Sequence, residues 1–178
     1  MAEAFSNKLT RAAGIVTTSS SGSIGVTTTI ITGISTVGVA VSDIIDNTNF
    51  IAGTKVTGYG AAASQVVVDQ TSTNTAAVSG SAIVNFLGMT TAYTSAAATK
   101  SILIGGTFAN NTSSSVNLTV EIHDASAGIQ AALASKIPVP TGSSFVISDA
   151  GKSVLEAGDE VRVFCDTSNA IDVNLSIL

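Results

Sequence analysis

The eight residues from Val116 to His123 read Val-Asn-Leu-Thr-Val-Glu-Ile-His, apolar and polar in strict alternation. Successive side chains of an extended strand point to opposite faces. Val116, Leu118, Val120 and Ile122 therefore share one face, and Asn117, Thr119, Glu121 and His123 the other. The same period returns in Val161, Val163 and Cys165 against Arg162, Phe164 and Asp166. It returns again in Ile171, Val173, Leu175 and Ile177 against Asp172, Asn174 and Ser176. A period of two gives no apolar stripe on a helix, and it marks antiparallel sheets with one buried face.

The rest of the chain after Gly14 agrees with this. Strand-like segments are Ile24–Val26, Thr29–Ile34, Val37–Ile45, Gln65–Asp69 and Ala82–Leu87, separated by Gly, Asn, Ser and Thr clusters. In Phe50–Val56, Gly53 can supply a positive φ for a turn. Only Met1–Gly14 has helical spacing: Phe5, Leu9 and Ala12/Ala13 fall on one face, and Gly14 can end the turn. That segment is expected as a short helix or an extended arm. A shift to small and hydroxyl residues over Gly88–Ala98 suggests a boundary. The expected organisation is all-β: an N-terminal arm (residues 1–14), an N-terminal β-domain (15–88) and a C-terminal β-sandwich (89–178) of jelly-roll or immunoglobulin-like type.

Composition narrows the function classes. Charged residues make up 11% of the 178, about half the usual share, and 45% are hydrophobic. With 7 Lys and Arg against 12 Asp and Glu, the chain cannot neutralise a row of phosphates, so no nucleic-acid partner is expected. Ala12–Ser42 carries no charge, which raises the question of a membrane span. Its hydroxyl residues and glycines interrupt every apolar run, so no membrane insertion is expected. No apolar run follows Lys8 and Arg11, so the expectation is an unprocessed protein made in a cytoplasm.

Candidate chemistry is sparse. One Cys and one His exclude disulfide frameworks and Cys- or His-rich metal sites. His123-Asp124 could form a general-base pair, but no G-x-S-x-G turn accompanies it, and the strand pattern reads as a solvated or interface histidine. Glu156, Asp159, Glu160, Asp166 and Asp172 cluster late in the chain without a D-x-D-x-D-G loop, and the first of these look like turn residues. No Trp and two Tyr, Tyr59 and Tyr93, provide few platforms for a sugar. No phosphate loop is present, and Cys165 reads as a buried thiol. Neither catalytic residue, cofactor nor metal is expected.

What remains is surface chemistry. Ser, Thr and Asn do little to block edge-to-edge strand pairing, so a chain this poor in charge is expected to be covered by copies of itself or by a larger assembly.

The stretches Tyr93-Thr94-Ser95, Ser101–Ile104, Lys136–Phe145 and Val154–Val163, with the closing Ala170–Ile177, resemble a β-sandwich module recurrent in tailed-bacteriophage virion proteins. Val41–Ile45 and Phe50–Val56 are similar to a second short module of phage fibre and structural proteins, with the flavour of phages of marine cyanobacteria. The resemblance spans most of the chain after about Ile30 and brings no catalytic residues. It implies a non-enzymatic virion protein, assembled in the host cytoplasm, with a capsid decoration (cement) role foremost. Its partners would be the major capsid protein, or neck and tail proteins, and it would be a homo-oligomer. Phe5, Lys8, Leu9 and Arg11 are the expected attachment residues. A collar, tail-adaptor or fibre-base component is the nearest alternative, and a receptor- or carbohydrate-binding module the next.

Overall fold

The computed structural model describes residues 5–148 and 152–178. Among these every regular element is a strand. In chain order they are β1 (Ser6–Ala13), β2 (Ile15–Ile24), β3 (Ile30–Thr32), β4 (Ile44–Asp46), β5 (Val56–Tyr59), β6 (Gln65–Val68), β7 (Val78–Gly88) and β8 (Thr90–Thr94). There follow β9 (Ser101–Asn110), β10 (Val116–Asp124), β11 (Ile129–Val139), β12 (Ser144–Ile147), β13 (Ser153–Leu155), β14 (Glu160–Cys165) and β15 (Ile171–Ile177). Among the described residues no helix is long and apolar enough to cross a membrane.

The chain divides into two compact units. One is Val16–Met89, and the other joins the described part of Met1–Ile15 to Thr90–Leu178. The first unit is thus inserted into the second.

In the inserted unit six strands run in the order β4-β7-β2-β3-β6-β5. The two ends of that order meet. Ile44 bridges Lys55, Ser42 N–H donates to Val56 O (2.9 Å), Val56 N–H to Asp43 O (2.9 Å) and Ile45 N–H to Thr54 O (2.8 Å). These bonds join the two ends of the sheet into a small barrel. Its interior is filled by Ile24, Ile31, Ile34, Val56, Val66, Val84 and Phe86. The apolar run expected as a strand over Val37–Ile45 is a strand only from Ile44. Gly38 and Ser42 have φ of 78° and 76°, which breaks extension and turns the chain into the closing contact.

The second unit is a sandwich. One sheet has the order β1-β15-β9-β12, with β13 also paired to β9, and the other the order β11-β10-β14-β8. Counting β12 and β13 as one position, the strands of this unit lie 1-8-3-6 in one sheet and 5-4-7-2 in the other, the order of a jelly roll. Leu103 and Phe108 of β9 and Val173 and Leu175 of β15 pack against Leu118 and Val120 of β10 and Val161 and Val163 of β14. Phe108 and Phe145 meet with ring centroids 6.0 Å apart.

Two expectations need correction. The segment read as a helix or arm is strand β1, paired antiparallel with β15 from Ser6↔Ile177 to Ala13↔Ile171. It supplies the edge of the jelly-roll sheet, and the first four residues of the expected arm lie outside the described residues. Strand β14 is buried on both faces rather than one: Arg162 is 8% exposed and Phe164 fully buried, on the face away from Val161 and Val163. Thr119 and Glu121, on the same outer face of β10, are buried with them. Both strands are central in their sheet, and Glu121 stands opposite Arg162 in register. Arg162 Nε also donates to Glu160 Oε2 at 2.7 Å, so the buried charge is paired.

Candidate interaction surface

Strand β1 carries three of the four expected attachment residues, Lys8, Leu9 and Arg11, and it separates them. Leu9, 74% exposed, lies on the outer face of the five-stranded sheet. It begins a row that crosses four strands: Leu9 opposite Asn174, Asn174 opposite Thr107, Thr107 opposite Val146. Lys8 is one residue earlier, opposite Leu175, and therefore projects to the other side of the strand. Phe5 precedes β1 and is 60% exposed. Arg11 sits in the β-bulge where the register shifts between Thr10 and Ala13. Leu9 and Arg11 come together on one shallow depression of about 340 Å³, floored by Thr107, Ala109, Asp172 and Asn174.

The bulge is fixed by specific contacts. Ala12 has a φ of 55°, and its N–H donates to Asp172 Oδ1 at 2.9 Å. Gly14, with φ of 120°, donates to Thr90 Oγ1 and accepts from Asn169 N–H at 2.9 Å. A Cβ on Gly14 would stand 2.5 Å from Thr167 O, so no other residue fits there without movement.

A second depression, about 260 Å³, adjoins the first and shares Thr107 and Asn174 with it. Gly105 forms part of its floor. A side chain at Gly105 would meet Ile147 O at 2.8 Å, so the glycine lets the following β12 edge approach. Val146 and Val154, 57% and 60% exposed, flank this part of the sheet, with Ile102 and Ile104 half-buried between them. The outer face is thus largely uncharged in its middle. Asn7, Asn174, Thr107, Ser144 and Ser176 provide its polarity, with Arg11 and Asp172 charged at one corner and the Lys100–Glu156 pair beside Ile102 and Val154 at another.

The residues weighed for chemistry are engaged otherwise. The Asp124 carboxylate accepts from Ser126 N–H, Ser126 Oγ and Ala127 N–H, all within 2.9 Å, and these bonds organise the β10–β11 turn. His123 stands opposite Glu160 and Gln130, and its Nδ1 is buried without a hydrogen-bond partner. Asp159 accepts from Ala125 N–H and Glu156 N–H, and Asp166 from the backbone and side-chain amides of Asn117. Cys165 is fully buried, and desolvation, the largest cause, pushes its thiol up to about 11. Among the described residues no group of three His, Cys, Asp or Glu is placed to hold a metal ion.

Sequence reasoning singled out Leu9 and Arg11 but did not see the face on which they lie. The signal was present in Asp172, Asn174 and Ser176, the polar members of an alternating strand, which line that face beside Leu9. No protein-family model matches the chain, and neither a curated protein nor a solved structure matches it.

Proposed function

We propose that this protein is a non-enzymatic structural component of a tailed-phage particle, and that it decorates the capsid. The observation that carries the reading is the outer face of the five-stranded sheet. It exposes Leu9, Val146 and Val154 on a surface whose charges lie towards its ends, Arg11 with Asp172 at one and the Lys100–Glu156 pair at another, while its middle is apolar or uncharged. Such a face fits another protein surface better than a small substrate, because its depressions are shallow and their polar groups do not converge. The jelly-roll order supports the reading weakly, since that fold serves viral capsid domains and lectins alike. In this role Leu9 and Arg11 dock on the shell protein, Phe5 extends the contact along the chain, and Lys8 lies at its margin.

Copy number per purified particle, measured by quantitative mass spectrometry against the major shell subunit, tests it. A ratio near one per shell subunit or per capsomer is the expected result. A count matching a few symmetric rings would move the protein to the collar or tail, and absence from the particle would end the structural reading.

A further inference from the structure

Strand β1 is turned inside out relative to its neighbour. Its partner β15 buries Ile171, Val173, Leu175 and Ile177 on the inner face of the sheet. The β1 residues opposite three of these are all polar: Ser6 against Ile177, Lys8 against Leu175 and Thr10 against Val173. Leu9, the one large apolar residue of Ser6–Ala13, stands on the outer face with Asn7. Ala13 alone in the strand is buried.

The inversion comes from the bulge. From Thr10 to Ala13 the strand advances three residues while β15 moves two, from Val173 to Ile171. Ala12, at a φ of 55°, takes up the extra residue in a left-handed conformation that is strained for an alanine. Continued without the bulge, the Ala13↔Ile171 pairing sets Ala12 opposite Asp172, Leu9 opposite Leu175 and Lys8 opposite Ser176. A slip of one residue turns every side chain to the other face. Leu9 then packs inward beside Leu175, while Lys8 and Thr10 turn out.

Each register has its own contacts and its own costs. The described one holds the Thr10 Oγ1 bond to Ala92 O and the Ala12 N–H bond to Asp172 Oδ1. Against these, it exposes Leu9, strains Ala12 and directs Lys8 to the inner side, where that side chain still reaches solvent. The slipped one buries Leu9 and relaxes Ala12, but it loses the Thr10 bond and directs Arg11 inward, opposite Val173. The backbone ladder to β15 survives in both, because the half-turn of the strand presents its alternate N–H and C=O groups.

We propose that β1 exchanges between these two registers and thereby switches the docking face. In the described register Leu9 and Arg11 line the outer depression. In the slipped one both are withdrawn. A partner that touches Leu9 binds one register only and so draws the population towards it. The inference gives a regulation to the docking face proposed above, and it rests on that reading only for its purpose.

Cross-linking of the purified full chain, without particles, is the test. Ser176 faces Asn7 in the described register, its Oγ 3.5 Å from Asn7 Oδ1, and faces Lys8 in the slipped one. Asn7→Cys with Ser176→Cys therefore reports the first register, and Lys8→Cys with Ser176→Cys the second, in the same cross-strand geometry. Both pairs should form disulfides within one chain under oxidised glutathione, identified by mass spectrometry of the linked peptides. Cys165 is fully buried and stays out of the exchange. Deleting Ala12 removes the extra residue and holds Leu9 outward, so it should abolish the 8–176 link and keep the 7–176 link. Ala12→Val, whose branched side chain opposes a positive φ, should raise the 8–176 link relative to the 7–176 link by about tenfold. A 7–176 link with no 8–176 link would overturn the inference, as would a ratio that Ala12→Val leaves unchanged. An 8–176 link that survives deletion of Ala12 would also overturn it, because fraying of the edge rather than slipping would then explain the contact. Absence of both links would remove the β1–β15 pairing on which it stands. Attachment to particles is measured separately through Leu9→Asp, so either reading can fail without the other.

Discussion

Leu9 and Val146 lie at opposite ends of a single cross-strand row, joined through Asn174 and Thr107, although 137 positions apart in sequence (146 − 9). Both project from the same face, and both are more than half exposed.

Leu9→Asp should therefore separate attachment from folding. An exposed side chain at a sheet edge contributes within about 0.5 kcal/mol to stability, so the circular dichroism spectrum and melting temperature should hardly move. Incorporation into particles, counted per shell subunit, should fall by about tenfold or more, as expected when a charge replaces an apolar contact residue. Undiminished incorporation of Leu9→Asp would remove this face from the docking reading.

Gly14→Ala should destabilise the jelly roll by about 2 to 3 kcal/mol, because it adds a carbon 2.5 Å from Thr167 O at a φ of 120°. For a unit of this size that is a fall of roughly 10 °C or more in its thermal transition. Differential scanning calorimetry would show it. A melting temperature equal to that of the wild type would mean that the Gly14–Thr167 approach is looser than described.

Cys165 links stability to alkaline pH. Its thiol holds its proton to about 11 in the folded chain, against 9.0 ordinarily. The unfolded chain therefore loses this proton first as pH rises. Stability is intact below about pH 9 and declines between 9 and 11, by an amount on the order of 2 to 3 kcal/mol. Cys165→Ser or Cys165→Ala should flatten that decline in urea titrations. The native thiol should also resist iodoacetamide at pH 8 and react only after unfolding.

Asp43 has the same sign in a lower window. It is 4% exposed, and burial raises its pKa more strongly than the bond from Ala40 N–H (2.8 Å) lowers it. The folded barrel favours the protonated acid. That contribution is present below the ordinary aspartate range and is lost as pH rises through the elevated folded value. Asp43→Asn keeps an acceptor for Ala40 and should remove this dependence, leaving the barrel more stable at pH 7 and little changed at pH 3. Carboxyl titration by NMR at or below the ordinary aspartate value would contradict the burial.

The two-residue period made the jelly-roll strands legible. It marked the inward faces of β10, β14 and β15 residue by residue. It could not mark the burial of Phe164 and Arg162, because alternation reports polarity and these two occupy the nominally polar face. The β1 segment misled for a geometric reason. Leu9 and Ala13 are four apart, a helical interval, and in a regular strand they would share a face. The bulge after Thr10 breaks that parity, leaving Leu9 outside and Ala13 fully buried. Barrel closure was hidden because backbone groups of residues 42–45 and 54–56 make it, and such bonds leave no trace in side-chain pattern. Leu9 and Arg11 were singled out through their local setting. Apart from Asn7, the rest of their face comes from residues more than ninety positions away, where sequence proximity is silent.

The insertion also sets an order of events during synthesis. The barrel is contiguous, Val16–Met89, and all its strands are available once that stretch has left the ribosome. The jelly roll is not. Its first strand pairs only with β15, the last of the fifteen, through contacts such as Ser6↔Ile177. Until Ile171–Ile177 has emerged, β1 must wait without its partner while the barrel beside it in sequence is already folded. The nascent chain thus passes through an interval in which one finished unit carries an orphan strand, and pairing of that strand by a neighbouring nascent copy is the misassembly against which timing must protect it.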